Sequence, residues 1–160
     1  MSIHHKIQNP QGMDLHDRVL IVKASDEVRN NNSTMNSGAN DTELLFDVGL
    51  NETWAFLFVL FTISATTTPD MQIQLKDGVP LAGPMEAGLR YAGSTDEQIS
   101  AFSDIINVGI NATARAIIID GLVTATTAGQ LKLRWAQQVA TAEDTKILAG
   151  SFLRAEKVSN

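Results

Sequence analysis

Apolar and polar residues alternate with period two over 71–76, Met-Gln-Ile-Gln-Leu-Lys. They do so again over 131–135, where Leu131, Leu133 and Trp135 share one side and Lys132 and Arg134 the other. Successive side chains of an extended strand point to opposite faces, so both stretches are expected to be strands with one buried and one wet face. Further strands are expected over 18–23, 43–48, 114–126 (with Gly121 inside), 146–148 and 152–158. Between them lie segments rich in Asn, Ser, Thr and Gly, at 30–41, 64–70, 77–78, 127–130 and 140–144, which read as loops and turns. Over 79–111, Pro80, Pro84 and several glycines interrupt any period, and 95–102 admits either a helical turn or two or short strands.

The run over 54–61 breaks the alternation. Trp54, Phe56, Phe58 and Leu60 share one face, while Ala55, Leu57, Val59 and Phe61 share the other, and both faces are apolar. The run is far short of the roughly 20 residues of a membrane helix. It is aromatic and bounded by turn residues, which favours a buried strand. An antiparallel strand with one wet face should alternate, so the second face here needs a cover. No helix of useful length is in sight, which leaves a long loop or a neighbouring subunit. Self-association is the expectation, with Trp54, Phe56, Leu57, Phe58, Val59 and Phe61 as interface candidates and no choice between the faces. Trp54 and Trp135 each lie in phase with aliphatic neighbours and are expected in the core rather than as sugar-stacking platforms.

Many short strands, frequent turns and almost no helix indicate an all-β chain, a sandwich or jelly roll. With 160 residues, one domain is expected, large enough to bury a core without staples. Residues 1–17 lack an apolar period and contain Pro10 and Gly12, so they read as an extended N-terminal arm that orders on docking, followed by the domain at 18–160. The polar start has no apolar stretch behind it, so no signal peptide is expected and synthesis is placed in the cytoplasm.

Charge and chemistry narrow the function classes. The net charge of −6 argues against general affinity for nucleic acid. There is no cysteine, and the three histidines, His4, His5 and His16, all fall in the arm. A metal site is not expected there, and the folded part has no base for Ser–His–Asp or Cys–His chemistry. Asp14, Asp17, Asp26, Glu27, Asp41, Glu43 and Asp47 are scattered without EF-hand spacing, and Gly78 and Gly83 fit neither phosphate-binding pattern. Spacing along the chain leaves open a carboxylate pair brought together by folding. The expectation is a structural protein with no catalytic residue, metal or cofactor.

The segment 51–61, Asn-Glu-Thr-Trp-Ala-Phe-Leu-Phe-Val-Leu-Phe, followed by Thr-Thr-Pro-Asp at 67–70, resembles a strand pair of small jelly-roll virion proteins of tailed bacteriophages. Residues 131–137, Leu-Lys-Leu-Arg-Trp-Ala-Gln, and 149–153, Ala-Gly-Ser-Phe-Leu, resemble the closing strands of the same group, and 22–41 its opening strand and polar loop. The likeness spans about 18–158, with 71–101 departing from the pattern. The resemblance implies a trimeric jelly roll. A short arm before the domain fits a capsid decoration (cement) protein, made in the host cytoplasm and carried on the virion. Such a protein binds the major capsid protein as a homotrimer and stabilises the shell, with no nucleic acid or membrane partner. In that reading the arm touches the capsid through His4, His5, Lys6, Asp14 and His16. The alternative is a receptor- or glycan-binding protein of the tail or fibre tip. Lys132, Arg134, Arg154 and Glu156 alternate out of the last strands and are either rim contacts or solvated charge.

Overall fold

The computed structural model describes residues 2–5, 17–36, 40–67, 70–77, 81–91 and 96–159; for 2–5, 40, 76 and 77 it describes the backbone alone. Among these residues every regular element is a β-strand. In chain order they are β1 Ser2–His5, β2 Arg18–Val22, β3 Glu27–Arg29, β4 Asn40–Val48, β5 Thr53–Ser64, β6 Met71–Asp77, β7 Met85–Tyr91, β8 Glu97–Ile99, β9 Ile106–Val108, β10 Arg115–Thr124, β11 Gly129–Gln137, β12 Thr145–Ile147 and β13 Phe152–Ser159.

The strands form two antiparallel sheets, as expected of a β-sandwich. The larger has the order β1-β2-β13-β5-β10-β7-β8, with β12 beside the far end of β5 and β3 beside β12. The smaller has the order β4-β11-β6-β9. From β3 to β12 the chain changes sheet at every step except β7 to β8: β4, β6, β9 and β11 belong to the smaller sheet, and the strands between and around them to the larger.

The core lies between the inner faces. Phe56, Phe58, Leu60, Ile117, Ile119, Leu89 and Leu153 come from the larger sheet, and Leu44, Phe46, Ile73, Leu75, Leu131, Leu133 and Trp135 from the smaller. Each fully buried large apolar side chain stabilises the fold by about 1.5–3 kcal/mol.

The ambiguous stretch resolves into short strands. Residues 97–99 are β8, paired to β7, and the chain then turns at Asp104. The Asp104 carboxylate accepts the N–H groups of Ser100 and Ala101 at 2.8 and 2.9 Å. Those two backbone bonds hold its pKa below the usual aspartate value.

β10 runs unbroken through Gly121. A Cβ there would stand 2.3 Å from the Glu86 carbonyl oxygen and 2.6 Å from Ala87 Cβ, so glycine lets β7 lie flush against β10. At the other side of the sheet, Ser2–His5 pairs along β2 with Ser2 opposite Ile21 and His5 opposite Arg18.

Candidate functional site

β5 is the central strand of the larger sheet, and its alternation now has a direction. Trp54, Phe56, Phe58 and Leu60 are buried against the smaller sheet, and the Trp54 ring meets Phe46 with centroids 5.4 Å apart. Leu57 and Val59 are half-buried on the opposite, outer face, and Phe61 is 38% exposed there. Trp54, Phe56 and Phe58 are therefore occupied by the chain's own core and do not offer a surface to a neighbour. Of the six candidates, Leu57, Val59 and Phe61 do. Trp135 is fully buried in the same core.

The cross-strand register sorts the outer face into rows running from β2 through β13, β5 and β10 to β7. One row reads Val22, Phe152, Val59, Ile118, Arg90. The next reads Leu20, Arg154, Leu57, Asp120, Gly88, and the third reads Arg18, Glu156, Ala55, Leu122, Glu86. Phe61 sits opposite Ala116 beyond the first row. The β5 column of the face is thus apolar, flanked by Arg154, Glu156 and Asp120, and Leu20, Val22 and Leu122 are each about half exposed, at 49%, 46% and 50%. A shallow hollow lies among Ala55, Leu57, Arg154 and Glu156, where the small Ala55 side chain leaves space. Ion pairs dot the face: Arg18 with Glu156 at 3.0 Å and Arg90 with Asp120 at 2.6 Å. Exposed pairs of this kind contribute little to stability on their own.

The smaller sheet behaves differently. Its outward positions include Glu43, Asp47, Gln72, Gln130, Lys132 and Arg134, with Leu45 half-buried among them, while Gln74, which donates to the Phe102 carbonyl, and Ala136 are outward but buried. That is the alternation proper to a sheet with one wet face. Lys132 and Arg134 therefore lie on the opposite side of the sandwich from Arg154 and Glu156, and the four do not form one rim.

Carboxylates scattered along the sequence converge on one lysine. Lys23 Nζ lies 2.9 Å from Glu27 Oε2, 3.0 Å from Asp41 Oδ2 and 3.4 Å from Glu43 Oε1. Burial works against the ammonium charge, but hydrogen bonds and attraction from Glu27 and Asp41 outweigh it and raise the lysine pKa. The other Glu27 oxygen accepts from Arg29 and from Trp135 Nε1, and the Arg29 guanidinium stacks 4.7 Å over the Trp135 ring. The cluster ties the turn after β2 to the start of β4 and to the core. Each charge in it already faces an opposite one, so its chemistry is that of a clasp.

Glu52 makes a second clasp, accepting from Trp54 Nε1 at 2.9 Å, the Gly49 N–H at 2.7 Å and Lys157 Nζ at 3.2 Å. Partial burial opposes its charge, yet these donors lower its pKa.

Among the described residues, no group of three or more His, Cys, Asp or Glu side chains is placed to hold a metal ion. Of the arm residues expected to meet a capsid, His4 and His5 lie in β1 with only their backbone described. Lys6, Asp14 and His16 lie outside the described residues. No family model matches the chain, nor does any curated protein or solved structure.

Proposed function

We propose that the chain is a structural virion protein of a tailed bacteriophage, a homotrimeric decoration (cement) protein that binds the outer head surface and stabilises the shell without turning over a substrate. The observation that carries this reading is the contrast between the two outer faces of one sandwich. The smaller sheet is mostly polar outside, whereas the larger sets Leu20, Val22, Leu57, Val59, Phe61, Ile118 and Leu122 among the charges of Arg18, Arg90, Asp120, Arg154 and Glu156. A face of that composition fits a subunit that works covered.

Strand order supports the jelly-roll part of the reading. β2-β13-β5-β10 packs over β4-β11-β6-β9, and of these eight strands only β6 and β9 follow one another in the same sheet. This is how two Greek keys wind into eight strands, and β7 and β8 extend one edge. The motifs at 51–61, 131–137 and 149–153 supply the virion part.

The energetics of the role are mass action and avidity. A protein that binds only the assembled shell stabilises it by an amount that rises with the logarithm of its concentration above its Kd. A trimer spanning several capsomers makes each added contact effectively intramolecular, so weak single contacts combine. The test is to heat or osmotically shock heads with and without the protein. Decorated heads are expected to retain DNA under harsher conditions. Equal loss from bare heads would reject the cement role. Imaging of virions with density at the tail tip would move the reading to an adhesin.

A further inference from the structure

We infer that copies of this chain pack around a threefold axis parallel to β5, the β2–β13 half of one outer face meeting the β10–β7 half of the next. The inference rests on the proposed function, which supplies the threefold order; the pairing of the two halves comes from the face itself. Its occupant is a second copy because the face is complementary to itself.

A rotation about an axis parallel to the strands leaves every residue at its own height, so each row meets the same row of the neighbour. In the middle row, Arg154 of one copy then faces Asp120 of the next. In the third row, Arg18 faces Glu86. In the first, Phe152 faces Ile118, while Leu57, Val59 and Phe61 on the central strand point to the axis and meet their own counterparts. Leu122, half exposed in the isolated chain, faces Glu156 of the next copy at the edge of the hollow among Ala55, Leu57, Arg154 and Glu156, and Glu156 keeps its ion pair with Arg18. Val22 comes opposite Arg90, whose aliphatic stem can cover it while its head stays on Asp120.

Other arrangements of the same face do worse. A twofold axis across the strands sets Arg154 against Arg154 and Asp120 against Asp120. Sliding one copy by one row sets Glu156 against Asp120 in one direction, and in the other it moves Arg154 off Asp120 and onto Leu122. Like charges and desolvated unpaired charges each penalise association, so the charge pattern selects the strand-parallel axis and its register. Sheet twist limits close contact to the central strands, which are the ones carrying these residues.

The experiment measures mass by light scattering and sedimentation at micromolar concentration for the full chain, Arg154→Asp, Asp120→Arg and the double variant, with circular dichroism checking the fold. The full chain is expected at three times its own mass. Each single reversal is expected to weaken association by about tenfold or more. The double variant, which restores the pair between neighbours with the signs exchanged but loses the Arg90 and Glu156 partners within the chain, is expected to associate more strongly than either single reversal. A monomeric full chain rejects self-association itself and with it this interface. A trimer untouched by both reversals overturns this face while leaving the trimer standing. Loss without rescue in a folded double variant overturns the row-on-row register, and a dimer overturns the threefold axis.

Discussion

Lys23 and Asp41 form an ion pair that water does not reach: Nζ stands 3.0 Å from Oδ2, and the two side chains are 1% and 0% exposed. Asp41 also accepts the N–H groups of Glu43 and Leu44, so the same carboxylate braces the first residues of β4 and anchors the lysine. Removing one partner of a buried pair strands the other charge.

Lys23→Met is therefore expected to cost about 3–5 kcal/mol in a denaturant titration followed by circular dichroism. Adding Asp41→Asn to it should cost less than the sum of the two single changes, because the stranded charge is gone. On the alkaline side the sign is fixed by the raised lysine pKa. The contribution of Lys23 is complete below the unfolded lysine value of about 10.4 and is lost as pH rises through the higher folded value. A loss below about 1 kcal/mol in Lys23→Met would contradict the buried cation.

Glu52 sets the opposite pH dependence. Its folded pKa is lowered, so its contribution is present above the unfolded value of about 4.3 and disappears as pH falls through the folded value. Glu52→Gln keeps the shape of the side chain but not the charge that binds Trp54 Nε1, the Gly49 N–H and Lys157. We expect it to cost about 1–2 kcal/mol at neutral pH and less below pH 4, so that the two stability curves converge in acid. Parallel curves down to low pH would assign the acid sensitivity to other carboxylates.

How far the sequence carried depended on whether a residue's fate was decided locally. The alternations at 71–75 and 131–135 were legible because β6 and β11 are neighbours inside the smaller sheet with one wet face. The strand at 54–61 was legible as a strand, but which face was inner was not. That was decided by its pairing with β13 and β10, both remote in the chain.

β8 and β9 are three residues each, too short to show a period, and exist because β7 and β6 offer them edges. Lys23 read as the polar end of the first strand. Nothing in its neighbourhood announced Asp41 and Glu43, which the segment after β3 brings back to it. Arg154 and Glu156 were visible as outward charges, whereas the row that sets Arg154 level with Leu57 and Asp120 is a property of the register alone.

Two glycines of the larger sheet should respond differently to the same methyl group. At Gly121 an added Cβ meets backbone and Ala87, neither of which can swing aside, so Gly121→Ala is expected to cost about 1–3 kcal/mol. At Gly88, one strand away on the outer face, a Cβ meets nothing within 4 Å. Gly88→Ala is expected to leave stability unchanged or raise it by a few tenths of a kcal/mol, since alanine holds an extended backbone with less entropy loss. Thermal midpoints of the two variants give the comparison. Equal midpoints would contradict the close approach of β7 to β10 at Gly121.

The sharpest test of how β5 is oriented uses two adjacent residues. Phe58 is fully buried between the sheets, and Leu57 lies half-buried on the outer face between Arg154 and Asp120. Phe58→Asp deletes a core aromatic and inserts a charge with no partner, so the chain is expected to lose well over 4 kcal/mol and fail to fold. Leu57→Asp places its charge where water and the Arg154 guanidinium can reach it. The isolated chain should keep its circular dichroism spectrum and lose no more than about 1 kcal/mol. Its association should nevertheless collapse, because three aspartates would meet at the axis without solvent. A folded, dissociated Leu57→Asp beside an unfolded Phe58→Asp is the expected pair of results. If instead Leu57→Asp unfolds and Phe58→Asp folds, the facing of β5 is reversed, and every row on the outer face with it.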